Sequence, residues 1–126
     1  MKKLLVVAIF SMAGCFAYAA DISGIKDKAN SGDSEAQYNL AVRYAKGDGV
    51  KKNPSEMIKW YKKAAEQGHA KAQSVLGLLY YEGDGVEKNV AETVKWFKKA
   101  AEQGHAEAQY NLGVCYEKGE GVEKNL

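Results

Sequence analysis

The chain repeats itself every 36 residues, and no other feature restricts its possible folds so much. Gln37, Gln73 and Gln109 are spaced by this period, as are Leu40, Leu76 and Leu112, and Tyr44, Tyr80 and Tyr116. Trp60 matches Trp96, and Gly68-His69 matches Gly104-His105. Aligning Ser34 to His69 with Ala70 to His105 gives 21 identities in 36 positions, far above coincidence. A unit of this size cannot bury its apolar face alone, so neighbouring units must cover one another.

Each unit reads as two helices joined by a glycine turn. Helix A is expected over Ser34 to Lys46, Ala70 to Glu82 and Ala106 to Lys118. The turns are Gly47-Asp48-Gly49-Val50, Gly83-Asp84-Gly85-Val86 and Gly119-Glu120-Gly121-Val122. Asn53 and Asn89 stand where an N-cap is needed, with Pro54 at a first helical position. Helix B then runs to Gln67 and to Gln103, and Gly68 and Gly104 end it. Ile22 to Ser31 falls into the register of a degenerate helix B, which predicts an N-terminal capping helix within residues 20–33.

At about 100° per residue, Ala36, Gln37, Leu40, Ala41 and Tyr44 share an arc about 140° wide. Met57, Ile58, Trp60, Tyr61, Ala64 and Ala65 share one of about 160° on helix B. Arcs this wide need two neighbours each, one inside the unit and one in the next. Ala41, Gly77 and Gly113 are expected to let helix A approach another backbone closely. With the third helix A, Ala106 to Lys118, lacking a helix B of its own, Ala108, Leu112 and Tyr116 are expected to be half covered.

Residues 1–19 read as a signal peptide rather than as part of the fold. Lys2 and Lys3 precede an apolar run from Leu4 to Gly14, too short for a membrane span, and Ala17-Tyr18-Ala19 suits a signal peptidase. Met12-Ala13-Gly14-Cys15 offers a competing lipoprotein route, with Cys15 as the lipidated residue. The whole chain carries 18 basic and 16 acidic residues, but two of the lysines lie in the leader, which leaves 16 of each. That balance gives no electrostatic case for nucleic acid or an anionic membrane. Cys115 is then the one remaining cysteine, so no intrachain disulfide forms; it reads as a buried thiol or an interchain partner.

Leu-Gly-x-x-Tyr, Gly-x-Gly-Val, Ala-x-Ala-Gln and Trp-aromatic-Lys-Lys-Ala-Ala-Glu-Gln-Gly-His together resemble the Sel1-like repeats, relatives of the tetratricopeptide repeat. The likeness covers Ala36 to Asn125 and divides the chain into repeats over residues 34–69 and 70–105 and an incomplete third over 106–126. It implies an all-α, right-handed α-solenoid whose A helices line a concave protein-binding face. Ala41 departs from the glycine the family expects, and the third unit stops at Leu126 before its helix B, which suggests either a truncated gene product or an end that docks on another protein. Some cysteine-rich relatives are linked to β-lactam binding or hydrolysis. They carry a cysteine pair in each repeat, and this chain carries none.

Opposite the packed arc of helix A, Val42, Leu78 and Val114 form an apolar line flanked by Asn39, Val75 and Asn111. Lys46, Glu82 and Lys118 make one charged row and Glu35, Lys71 and Glu107 another, of opposite phase, so attraction between adjacent repeats is expected. This strip suits a peptide or helix with apolar anchors. Lys59, Lys62, Lys63, Lys95, Lys98 and Lys99 read as a solubilising face of helix B. His69 and His105 read as turn residues about 10 Å apart, too far to share a zinc ion. Ser23-Gly24-Ile25-Lys26 is a bare Ser-x-x-Lys pattern without the companion elements of a β-lactam hydrolase. The reading is therefore a periplasmic or secreted protein-binding scaffold, not an enzyme, with no cofactor and no metal. A structural cell-envelope lipoprotein is the alternative.

Overall fold

The computed structural model describes residues 22–119. The expected leader and cleavage site, Cys15, and the residues beyond Gly119 where the third glycine turn is expected lie outside the described residues. Within them the chain is helical: α1 over residues 22–30, α2 Ser34–Lys46, α3 Pro54–Glu66, α4 Ala70–Glu82, α5 Val90–Glu102 and α6 Ala106–Lys118. Among the described residues there is no strand. No helix among them is long and apolar enough to cross a membrane.

The boundaries follow local chemistry. Asn53 and Asn89 cap α3 and α5, each accepting from the backbone N–H three residues on, at 3.2 and 3.1 Å. Their own N–H groups donate back to Tyr44 and Tyr80, which folds each turn against the helix it leaves. Gly47 and Gly83 take left-handed φ of 71° and 70°, and their N–H groups close onto Arg43 and Leu79. A side chain would strain that conformation, so glycine stops helix A there. Helix B ends at Glu66 and Glu102, with Gln67 and Gln103 as caps.

α2 packs on α3 and α4 on α5 within the repeats, while α3 packs on α4 and α5 on α6 between them. One core runs through the first two repeats and includes Leu40, Met57, Trp60, Tyr61, Leu76 and Trp96. A second, smaller cluster holds Val94, Phe97 and Cys115, with Leu112 half-buried against it. Both tryptophans lie inside, as a stack of mutually covering units requires. Their indole N–H groups donate to Glu56 and Glu92, one turn back. Lys59 and Lys63 lie over the Trp60 ring, and Lys95 and Lys99 over Trp96, at 4.9–5.1 Å. Those lysines thus do more than solubilise helix B: their charges sit on the aromatic faces.

A glutamine ladder stitches the layers. Gln37 donates to the Ala29 carbonyl on α1, Gln73 to Ala65 on α3 and Gln109 to Ala101 on α5, at 3.0–3.1 Å. Gln67 and Gln103 in turn donate to the side-chain oxygens of Gln37 and Gln73, at 2.7 and 2.9 Å. Gln37 and Gln73 are buried, so leaving these amides unpaired would be costly and the register is held.

Two expectations need correction. Ala108 is fully buried rather than half covered, because it faces the preceding helix α5, not the missing side. Gly113 makes no close approach: a Cβ there would meet nothing within 4 Å, whereas one on Gly77 would meet the Phe97 ring at 2.8 Å.

Candidate protein-binding face

The A-type helices α2, α4 and α6 carry all nine residues of the expected strip, but the structure does not treat them alike. Leu78 is 37% exposed, the most open of the three apolar residues in the line. Val42 and Val75 are half-buried and packed against the main core. Asn111 and Val114 are half-buried, and Asn39, Lys46, Glu82 and Lys118 are exposed.

Two grooves lie between successive A helices. The first has a volume of about 180 Å³ and is floored by Phe97 of α5. Leu78 and Tyr81 of α4 line it on one side, and Asn111, Val114, Cys115 and Lys118 of α6 on the other. The second, also about 180 Å³, lies between α2 and α4 over Met57 and Tyr61, with Tyr44, Ala45, Val75 and Leu79 along its sides. Tyr81, Phe97, Asn111 and Cys115 are the 36-residue counterparts of Ala45, Tyr61, Val75 and Leu79, so the grooves are one feature repeated. Leu78, Asn111, Val114 and Lys118 meet in the first groove, and Val75 enters the second. Asn39, Val42, Lys46 and Glu82 line neither.

The charged rows do not pair as expected. Among the described residues no ion pair joins Lys46, Glu82 and Lys118, or Glu35, Lys71 and Glu107. Equivalent residues on successive helices stand about one helix spacing apart, beyond direct contact. Glu35 instead meets His69 Nε2 at 2.7 Å. His69 is more than a turn residue: it is the N-cap of α4, its Nδ1 accepting from the Ala72 N–H at 3.1 Å. Because Nδ1 accepts, the ring proton lies on Nε2 and is donated to Glu35. The imidazole stacks on Tyr38 at 4.8 Å, and Tyr38 lies 5.7 Å from Tyr61.

Burial pushes the Tyr61 hydroxyl up to about 12, helped by Tyr38. Tyr38 is raised too, first by burial, then by Glu35 and Glu107.

His105, the counterpart of His69, makes no side-chain cap. It faces a repeat with Lys71 and Ser74 where the first has Glu35 and Tyr38. Sequence reasoning missed this clasp, and also Tyr81, Phe97 and Cys115 in the groove. The glutamine contacts were signalled by the shared period of Gln67 and Gln103.

Among the described residues no group of three or more histidine, cysteine, aspartate or glutamate side chains is placed to hold a metal ion. Ser23 and Lys26 of the Ser-x-x-Lys pattern lie on α1, Ser23 exposed at the surface. Cys115 is buried at 3% exposure.

Sel1 repeat family models match residues 34–69, 70–105 and 106–126. No curated protein matches the chain. A Sel1 repeat protein from Oxalobacter formigenes is 44% identical, with a TM-score of 0.79, over 84% of this chain and 80% of that one. A protective antigen of uropathogenic Escherichia coli with an SLR fold is 43% identical, with a TM-score of 0.80, over 82% of this chain. The match spans only 22% of that antigen's length. Helicobacter pylori cysteine rich protein B is 27% identical, with a TM-score of 0.70, over 72% of this chain and 68% of that one. Sel1 repeat proteins are generally scaffolds for protein interaction, typically without catalysis. With its paired helices, its period and its three consecutive matches, the chain belongs to the Sel1 repeat family.

Proposed function

We propose that this protein is an exported adaptor that holds a peptide or helix of another protein along its A helices. The residues proposed to contact the partner are Asn39, Val42, Lys46, Val75, Leu78, Glu82, Asn111, Val114 and Lys118. Leu78 carries the reading. Leucine is normally buried, and here it stands 37% exposed at the edge of a groove floored by Phe97. An apolar side chain of the partner entering beside it would displace water from both. Lys118 and Asn111 on the same groove supply polar partners for the ligand backbone or a carboxylate.

Leu78→Lys tests the site. Leu78 is partly exposed at the groove edge, where a lysine head can reach solvent, so helical circular dichroism should stay as in the wild type, while a partner recovered from envelope extract should bind at least about tenfold more weakly. A partner that binds Leu78→Lys with unchanged affinity would remove the groove from consideration.

Export rests on the basic, apolar and small-residue order of residues 1–19. N-terminal sequencing of the periplasmic protein should begin at Ala20. A lipidated N-terminus at Cys15 would instead make it an envelope lipoprotein. One structural relative is a protective antigen, which accords with export.

A further inference from the structure

The groove between α2 and α4 contains a polar group that the fold leaves unused. Both helices pack on α3, which closes the groove from below. Met57, Val75 and Leu79 make the lining apolar, and Tyr61 lies at the floor. Tyr61 is only 5% exposed, yet its hydroxyl has no hydrogen-bond partner among the described residues. The oxygen is not sealed off from the surface, and the groove is the opening that Tyr61 lines. Packing does not require it. The same position of the second repeat is Phe97, at the floor of the equivalent groove, so a bare ring serves there. A hydroxyl that is nearly buried and unpaired costs the fold stability unless something from outside completes it.

We propose that this groove takes an apolar side chain of the partner tipped with an uncharged oxygen, which accepts a hydrogen bond from the Tyr61 hydroxyl. The inference rests on the reading that the A helices hold a partner, and it adds a second anchor to the one beside Leu78. Burial keeps the hydroxyl protonated up to about 12, so it has a hydrogen to donate. The Phe97 ring gives the other groove no such donor at its floor. Lys52 and Asp84, both exposed, carry opposite charges at the rim, so the site offers no net charge to a carboxylate or an ammonium group. The volume of about 180 Å³ suits a six-membered ring or a chain of similar bulk, since an apolar cavity of about 150 Å³ accepts benzene.

Acetophenone, a ring carrying a carbonyl oxygen, is the probe, and ethylbenzene, which lacks that oxygen, is the control. Titrating the whole chain with acetophenone should shift the methyl NMR signals of Met57, Val75 and Leu79. Tyr61→Phe should weaken acetophenone about fivefold and leave ethylbenzene unchanged or tighter. Benzoate should bind more weakly than acetophenone. The variant should melt no lower than the wild type, because the ring alone already packs at Phe97. Silent methyls, an acetophenone affinity indifferent to Tyr61→Phe, or equal weakening of both ligands would each overturn the inference. So would tighter binding of benzoate, or a lower melt, which would make the hydroxyl part of the fold. Leu78 does not line this groove, so Leu78→Lys should leave the titration as it is, and the failure of either site is read apart from the other.

Discussion

Helices α4 and α6 are nearly the same helix in two settings. Both begin at a histidine, end at a left-handed glycine, and carry leucine, glycine and tyrosine at matched positions. α4 lies between α3 and α5, and Leu76 and Gly77 are buried. α6 has α5 on one side only among the described helices, so Ala108 and Cys115 are buried while Leu112 is half-buried and Gly113 bare. One motif therefore has two energetic meanings. In a solenoid a residue's worth depends on which neighbours the array supplies.

Alanine at the two leucines should separate these settings most. Leu76→Ala empties a fully buried site and should cost about 2–5 kcal/mol in urea denaturation. Leu112→Ala removes a half-covered side chain and should cost less than half as much. Equal losses would mean that α6 is as enclosed as α4.

Alkali distinguishes the two helix hairpins. Tyr61 of the first is replaced by Phe97 in the second. The Tyr61 hydroxyl sits at about 12 in the fold, above its usual 10. The unfolded chain therefore releases its proton first. The stability this linkage contributes is complete below pH 10, falls as pH rises toward 12, and is lost above it. The drop should approach about 2–3 kcal/mol over that window. Tyr61→Phe should flatten the profile relative to wild type; an unchanged alkaline slope would contradict the burial of that hydroxyl.

The glycines should respond with opposite signs. Gly77→Ala forces a methyl against Phe97 and should destabilise by about 1–3 kcal/mol. Gly113→Ala meets open space and should stabilise the helix by up to about 1 kcal/mol. Thermal melts of the pair read this directly, and a shift of the same sign in both would break the comparison.

The histidines give the smallest contrast. His69→Ala removes an N-cap and a contact to Glu35, about 1 kcal/mol. His105→Ala removes no cap bond and should change the melt little.

Much of this architecture is legible in one dimension. Helix limits were set by Asn53, Asn89, Gly47 and Gly83, because capping and left-handed turns are local chemistry written at the residue concerned. The buried tryptophans and the stack followed from the 36-residue period and the width of the apolar arcs. Tertiary structure decided which side of each helix found a neighbour. Spacing shows that Gly77 and Gly113 are equivalent; only coordinates show one against Phe97 and the other open. It also decided that His69 is clasped by Glu35 and Tyr38, residues more than 30 positions away, and that Leu78 shares a groove with Phe97 and Cys115. Periodicity encodes what each repeat offers, whereas burial and pairing depend on distances between chain segments that no single repeat contains.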